Sequence, residues 1–396
     1  MEKDNQQHRT GGNILIFSTA YYPFVGGAEV AVKEMTDRLS GFQFDMITAR
    51  ISKKLPTFER VGQINVYRIG YGQRVLDKLL VPFWGAYKAY KLQSQKNYFC
   101  FYGVMASYAT GAGYIVNIFN QLFGIKKVPI VLNLQEGDSE EHFKYKWLGL
   151  INLSWRLALA RTDVLTVLSS FLLTRAERFG YKGKSFVIPN GVDLEKFTKP
   201  HYKKDIDILS SQLGLRSDQI CMITTSRLVR KNAVDVVIES LKYLPEQVVF
   251  LIIGSGSDIE TKKLKDLAYK KEVSHRVRFI GLVDQQDIPL YLACGHIFVR
   301  PSRSEGFGIS FIEAMASGLP IVTTPVGGIT DFIDDKETGI FCCPDNARSF
   351  ADAVMFLLKN EAIREKIIRQ ARERVLLKYG WDMIVSDIKQ KVFDPL

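Results

Sequence analysis

Cysteine is scarce in this chain of 396 residues. The five present (Cys100, Cys221, Cys294, Cys342 and Cys343) form an odd set with no Cys-x-x-Cys spacing. That excludes a disulfide framework or a cysteine-built zinc cluster and fits a reducing, cytoplasmic setting. No apolar run precedes Asn13, so no signal peptide is expected. Long hydrophobic runs are also lacking. The one charge-free stretch of membrane-spanning length, between Lys96 and Lys126, is interrupted by Asn97, Asn117, Asn120, Gln121, Gly103, Gly111 and Gly113. A buried strand (Tyr98–Met105), a glycine turn and a buried helix (Tyr114–Phe123) account for it better than a membrane span. No repeat of 20–50 residues and no low-complexity tract occurs.

What is present is an ordinary globular composition, 46% hydrophobic and 24% charged, in a chain too long for one core. Two domains are expected. The net charge of +11 is unevenly placed: residues 1–196 hold 25 Lys+Arg against 16 Asp+Glu (+9), and the remainder 28 against 26 (+2). A basic N-terminal half suits an anionic partner such as a membrane surface, a lipid-linked phosphate or nucleic acid, or is simply a solvated basic surface. No helix-turn-helix or RNP-like signature accompanies the charge, so nucleic acid is not expected.

Each half opens in the same way. Ile14–Ser18 is an apolar run short enough for a buried parallel strand, followed by a glycine loop and a helical pattern over Ala28–Leu39. Ile220–Thr224 repeats the strand, Ser226–Asn232 the loop and Ala233–Leu241 the helix. Further strands are predicted at 44–48, 130–134, 164–168, 185–188, 248–253, 277–280, 296–300 and 320–324. The pattern predicts an α/β chain of two doubly wound domains in tandem. The break is placed at Thr198–Lys204, giving domains of 1–198 and 199–380, with the apolar-patterned segment 381–396 packing back on the first.

The strongest chemical signal is Pro301-Ser302-Arg303-Ser304-Glu305-Gly306-Phe307-Gly308-Ile309-Ser310-Phe311-Ile312-Glu313. Two glutamates stand eight positions apart, the first in a glycine loop after a strand and the second on the helix that follows. Free backbone N–H groups where that helix begins suit a diphosphate or sugar. A helix-borne glutamate can accept hydrogen bonds from a ribose diol. Arg227 and Lys231, just past a strand end, can neutralise a departing nucleoside diphosphate. The alternative is ordinary surface glutamates and loop cations.

This string resembles the E-x7-E motif of the retaining glycosyltransferases of family 4, which have the GT-B fold: two Rossmann-like domains facing across a cleft. Other pieces fit in order: Tyr22-Pro23-Phe24-Val25-Gly26-Gly27 the N-terminal glycine loop, Pro189-Asn190-Gly191-Val192-Asp193 the interdomain element, and Arg227 to Asn232 the diphosphate loop. The resemblance implies a metal-independent hexosyltransferase without cofactor, acting on a UDP or GDP sugar and a saccharide or lipid-linked acceptor. The C-terminal domain would hold the donor and the N-terminal domain the acceptor. Glu313 would hold the ribose. Glu305 and the backbone of Phe307, Gly308 and Ile309 would hold sugar hydroxyls and phosphate. Ile280 would lie by the base, and Gly26 and Gly27 would admit the donor phosphates. The reaction would proceed by same-face substitution with retention. Many members carry a histidine after the fourth N-terminal strand, where this chain has Gln135. Asp138, and after it Glu136, are then the candidates to orient the acceptor hydroxyl.

Competing readings are a sugar-nucleotide epimerase of the same fold and a non-catalytic partner that binds nucleotide sugar or membrane. Asp205-Ile206-Asp207, the one Asp-x-Asp of metal-dependent sugar transferases, falls in a polar stretch rather than at a strand end. Gly254-Ser255-Gly256 lacks the third glycine of a dinucleotide fingerprint, position 259 being Ile259. Residues 74–92 place apolar side chains at helical spacing among Arg74, Lys78, Lys88 and Lys91. They read as a helix packed on the N-terminal sheet, or as an interfacial helix at an anionic membrane or an acceptor-binding lip.

Overall fold

The computed structural model describes residues 11–24, 26–106, 108–137 and 150–396. They divide into two compact units, one of residues 1–190 with 381–396 and one of 191–380. The break falls earlier than the polar stretch 198–204. The reason is local: the Val192 N–H donates to the Tyr379 carbonyl (2.7 Å) and Arg372 donates to the Thr198 carbonyl, tying this segment to the second unit. Asp205 and Asp207 accordingly sit on a helix, Lys203–Gln212, rather than in a linker.

The first unit is built on a sheet with strands β1 (Gly12–Phe17), β2 (Phe42–Ala49), β3 (Phe58–Val61), β4 (Ile64–Ile69), β5 (Tyr98–Val104), β6 (Ile130–Leu134), β7 (Val164–Val167) and β8 (Lys184–Val187). Their order is β3-β4-β2-β1-β5-β6-β7-β8. All neighbours are parallel except β3, which pairs antiparallel with β4. The central strands are apolar on both sides, as expected of strands with helices on both faces. One face buries Ile14, Ile16, Met46 and Val66 against helix Gly27–Arg38 and the C-terminal residues Trp381, Ile384 and Phe393.

The other face carries helices Arg74–Gln93 and Thr110–Leu122. Both pack closely because small residues lie at the seam. A Cβ on Gly85 would stand 3.1 Å from Ala112 and from Ile47, and one on Gly113 3.1 Å from Phe17. Helix 110–122 differs from the fully buried element read at 114–123. Tyr114, Val116 and Asn117 turn inward, whereas Phe119 and Leu122 are exposed. No helix among the described residues is long and apolar enough to cross a membrane.

The second unit repeats the plan with β9 (Ile220–Thr225), β10 (Val248–Ile253), β11 (Val277–Gly281), β12 (Ile297–Arg300), β13 (Ile321–Thr323) and β14 (Ile340–Phe341), ordered β11-β10-β9-β12-β13-β14 and parallel throughout. From β9 the chain winds outward to β11, then returns to β12 on the other side of β9. That reversal opens a crevice beyond the carboxyl ends of β9 and β12, where open α/β sheets bind ligands.

Candidate active site

The loops after β9 and β12 flank this reversal and carry Arg227, Lys231 and Glu305, and the helix that follows the second loop carries Glu313. The β9 loop turns tightly because the Asn232 amide donates to the Arg227 carbonyl (2.7 Å). Arg227 is exposed. Lys231 sits in a short 3-10 turn, Arg230–Asn232.

Arg303 staples this turn to the β12 loop. Its backbone N–H donates to the Lys231 carbonyl (2.7 Å) and its guanidinium to the Arg230 carbonyl (2.6 Å). The same guanidinium pairs with both oxygens of Asp235 (2.8 and 3.0 Å) and with Asp345. At the sequence level Arg303 was only a motif spacer; nothing in its spacing marks a partner 68 or 42 positions away.

Glu305 is held on both sides. One carboxylate oxygen accepts from buried Arg300 (2.7 Å), the other from the Gly306 N–H (3.0 Å). Its carbonyl accepts from Gly328. A Cβ on Gly327, at φ +58°, would stand 1.9 Å from the Glu305 carbonyl oxygen, so the position needs glycine. Arg300 also donates to the Ser310 hydroxyl (2.6 Å) and lies over the Phe311 ring at 4.2 Å. Burial lowers its pKa, while Glu305 and Glu313 raise it and Arg227 lowers it further. Glu305 touches the guanidinium, while Glu313 and Arg227 act on it electrostatically. Reading the sequence missed Arg300; the signal was a cation closing the apolar strand run Ile-Phe-Val-Arg.

Gly308, left-handed at φ +94°, precedes the helix Ile309–Ala316, and no side chain caps that helix start. Its backbone N–H groups are therefore those expected to meet an anion. Phe307 is buried with its ring against Phe332 (5.2 Å) and Tyr379 (5.9 Å), which leaves its main chain as the group able to meet a ligand. Glu313 stands one turn into the helix. Burial pushes its carboxyl up to about 7, although Lys196 and Arg300 pull it down. At the end of β9 the buried hydroxyls of Thr225 and Ser226 have no partner among the described residues, nor has that of Ser302 after β12. Buried polar atoms of this kind are costly unless something satisfies them. Ile280 lies at the end of β11, across β10 from this cluster, where the Gly254 N–H donates to the Gly281 carbonyl (2.7 Å).

In the first unit, Gly26 caps helix Gly27–Arg38 directly after the β1 loop, and a Cβ there would meet the Glu29 carboxylate at 2.8 Å. Glu136 follows β6 and is buried. Its carboxylate accepts from the Ala106 N–H (2.5 Å) and the Gln135 N–H (3.1 Å), which holds the end of β5 to the end of β6. Gln135 donates to Asn133 (2.6 Å) and accepts from Asn190 (3.3 Å). Asp138 lies outside the described residues, as does His142.

Comparison with known proteins decides the class. The model of glycosyl transferases group 1 matches residues 205–374, and that of Glycosyltransferase Family 4 matches residues 25–196. The chain belongs to the family 4 glycosyltransferases.

The transferase is 25% identical over 374 residues to an uncharacterised glycosyltransferase of Methanocaldococcus jannaschii, covering 92% of this chain and 94% of the relative. It is 29% identical over 239 residues to a GDP-mannose-dependent alpha-(1-6)-phosphatidylinositol monomannoside mannosyltransferase of Mycobacterium tuberculosis, covering 57% of this chain and 60% of the relative. Among solved structures, sucrose-phosphate synthase of Thermosynechococcus elongatus aligns over 96% of this chain and 98% of its own, at TM-score 0.81 and 22% identity. HepE of Anabaena, solved with UDP-glucose, aligns over 95% and 98% at TM-score 0.76 and 19% identity. These neighbours establish the transferase's GT-B fold.

Proposed function

We propose that this transferase moves a hexose-type sugar, with retention of anomeric configuration, from a UDP or GDP sugar to a saccharide or lipid-linked acceptor in cell-surface glycan or glycolipid synthesis. The observation that carries the reading is the Glu305 carboxylate fixed by buried Arg300 ahead of the uncapped start of the helix that bears Glu313, where the second sheet reverses, with the Lys231 turn of the Arg227 loop stapled alongside by Arg303. In this reading Glu313 accepts from the ribose diol. Glu305 and the main chain of Phe307, Gly308 and Ile309 hold the sugar hydroxyls and phosphate, and Ile280 lies by the base. Gly26 and Gly27 lie by the donor phosphates.

As the glycosidic bond breaks, negative charge grows on the leaving diphosphate. Arg227 and Lys231 meet it with side-chain cations in place of a metal ion, and no cofactor takes part. The leaving phosphate takes the acceptor proton, so no carboxylate nucleophile is asked of the protein. Asp138 is the first candidate to orient the acceptor hydroxyl. Glu136, whose carboxylate already serves two backbone N–H groups, is the second.

The relatives support this donor class: the mycobacterial mannosyltransferase is named for GDP-mannose, and HepE binds UDP-glucose. The test is transfer from UDP- and GDP-hexoses to saccharide and lipid-linked acceptors, with the product anomer read by proton NMR. Glu313→Ala and Lys231→Ala should each cost about 2–4 kcal/mol in kcat/KM. Full turnover in both variants, or an inverted product, would contradict the proposal.

A further inference from the structure

The first unit carries an outer layer of three helices that differs from the rest of its surface. Helices Arg74–Gln93 and Thr110–Leu122 run side by side, the Asn120 amide donating to Gln93 (3.0 Å), and helix Leu150–Arg161 adjoins the second. Helix 74–93 buries Val81, Gly85, Ala86 and Ala89 against the sheet. Its other side exposes Val75 (64%), Leu79 (46%), Phe83 (65%) and Tyr87 (62%) at four-residue spacing. Leu122 (72%) and Phe123 (71%) end the second helix, and Leu157 (55%) continues the layer on the third. Isolated exposed apolar residues need no explanation, but a patch continued across three adjacent helices does.

The charges of this layer are one-sided. Arg74, Lys78, Lys88, Lys91, Arg156 and Arg161 are its cations, and its single carboxylate, Asp77, is fully buried and accepts backbone N–H groups of residues 51 and 71–73. Lys88 lies over the Tyr67 ring (4.2 Å) and Lys91 over the Tyr87 ring (4.6 Å), so long cationic side chains lie along aromatic faces. Aromatic and aliphatic groups rimmed by lysine and arginine, without an exposed carboxylate on the helices, match the interfacial region of an anionic bilayer. A second copy of the chain would instead place cations against cations.

We infer that this three-helix layer seats the transferase on an anionic phospholipid membrane, with Phe83 and Tyr87 entering the headgroup region and the flanking lysines and arginines meeting lipid phosphates. The inference rests on the proposed function only for its purpose, delivery of a lipid-linked acceptor. Membrane binding itself is read without any sugar transfer, so the two can fail separately.

The experiment is flotation of the full chain with phosphatidylcholine vesicles and with vesicles of phosphatidylcholine and phosphatidylglycerol in equal parts. It is run for wild type, Phe83→Ser/Tyr87→Ser, and Lys78→Gln/Lys91→Gln, with thermal unfolding confirming that each variant is folded. Wild type should float with the anionic vesicles only. The serine pair should lose flotation, and the glutamine pair should bind about fivefold more weakly per lysine removed. Wild type remaining in the soluble fraction with both vesicles would overturn the inference, as would a serine pair that floats as well as wild type. Self-association without vesicles that the serine pair abolishes would assign the face to a second copy instead.

Discussion

Buried Arg300, the last residue of β12, and partly buried Glu305 in the loop that follows form an ion pair, 2.7 Å apart, where the second sheet reverses direction. The guanidinium fork spends one nitrogen on Glu305 and the other on Ser310, and its plane lies over Phe311. Glu305 therefore presents a fixed carboxylate ahead of helix 309–316. Its position is set by the helix that carries Ser310 and Phe311, not only by the loop.

Removing the cation should leave Glu305 partly buried without its counter-charge. Arg300→Met is expected to lower stability by about 3–5 kcal/mol, as for other broken buried pairs, and to cut kcat/KM more than its loss of folded protein explains. Arg300→Lys keeps the charge and loses the fork, so it should recover stability in part and turnover less. Denaturant unfolding and kinetics on the three proteins measure this.

Glu313 should make both stability and donor affinity depend on pH. Its carboxyl titrates at about 7 in the folded chain, against 4.5 for an ordinary glutamate. The fold thus disfavours the ionised form. The penalty is absent below pH 4.5, accumulates as pH rises to 7, and is complete above it. Ligand-free Glu313→Gln should match wild type near pH 4 and exceed it at pH 8, by up to about 3 kcal/mol. Donor KM should show the converse. In wild type it rises as pH falls below 7 and the diol acceptor is protonated, whereas in Glu313→Gln it is high and flat. Urea titrations and donor kinetics across pH 4–8 read both.

Gly308→Ala should disturb the site through Arg300. The added Cβ would stand 2.6 Å from an Arg300 nitrogen and 2.7 Å from Phe311, at a left-handed backbone position. Expected losses are about 1 kcal/mol or more of stability from the backbone alone and a larger fall in donor affinity. Unfolding and calorimetry separate the two.

Glu136→Gln tests a different kind of carboxylate. Each oxygen of Glu136 accepts a backbone N–H, and an amide can accept at only one. The variant should lose about 1–3 kcal/mol of stability while the pH profile of kcat keeps its shape. A shifted pH profile with unchanged stability would instead give Glu136 the role of the titrating group.

The architecture was legible in the sequence where strands are buried on both faces: Ile130–Leu134 and Val248–Ile253 stand where their apolar runs place them. The β3–β4 hairpin was not, because Phe58–Val61 and Ile64–Ile69 alternate with polar residues on an edge. Nor was the two-residue β14, too short to show a period. In the site, Glu305 and Glu313 came from spacing within one loop and its helix, and the cation pair from spacing within the loop after β9. Arg300 and Arg303 escaped because their roles depend on long-range partners such as Asp235 and Asp345, on Phe311 stacking and on the Lys231 carbonyl, which the fold supplies and local spacing does not. Helix 110–122 read as buried because it carries no charged residue, and composition does not say which side a neighbour covers.

The central claim is that a nucleoside diphosphate is held where β9 and β12 end, by Arg227 and Lys231. Calorimetric titration of UDP and of GDP into wild type and into Arg227→Ala/Lys231→Ala tests it most directly. One nucleotide should bind wild type, and the double variant should bind it about a hundredfold more weakly, two charge-assisted contacts having been lost. Equal affinity in the folded double variant, or no binding of either nucleotide to wild type, would contradict the account.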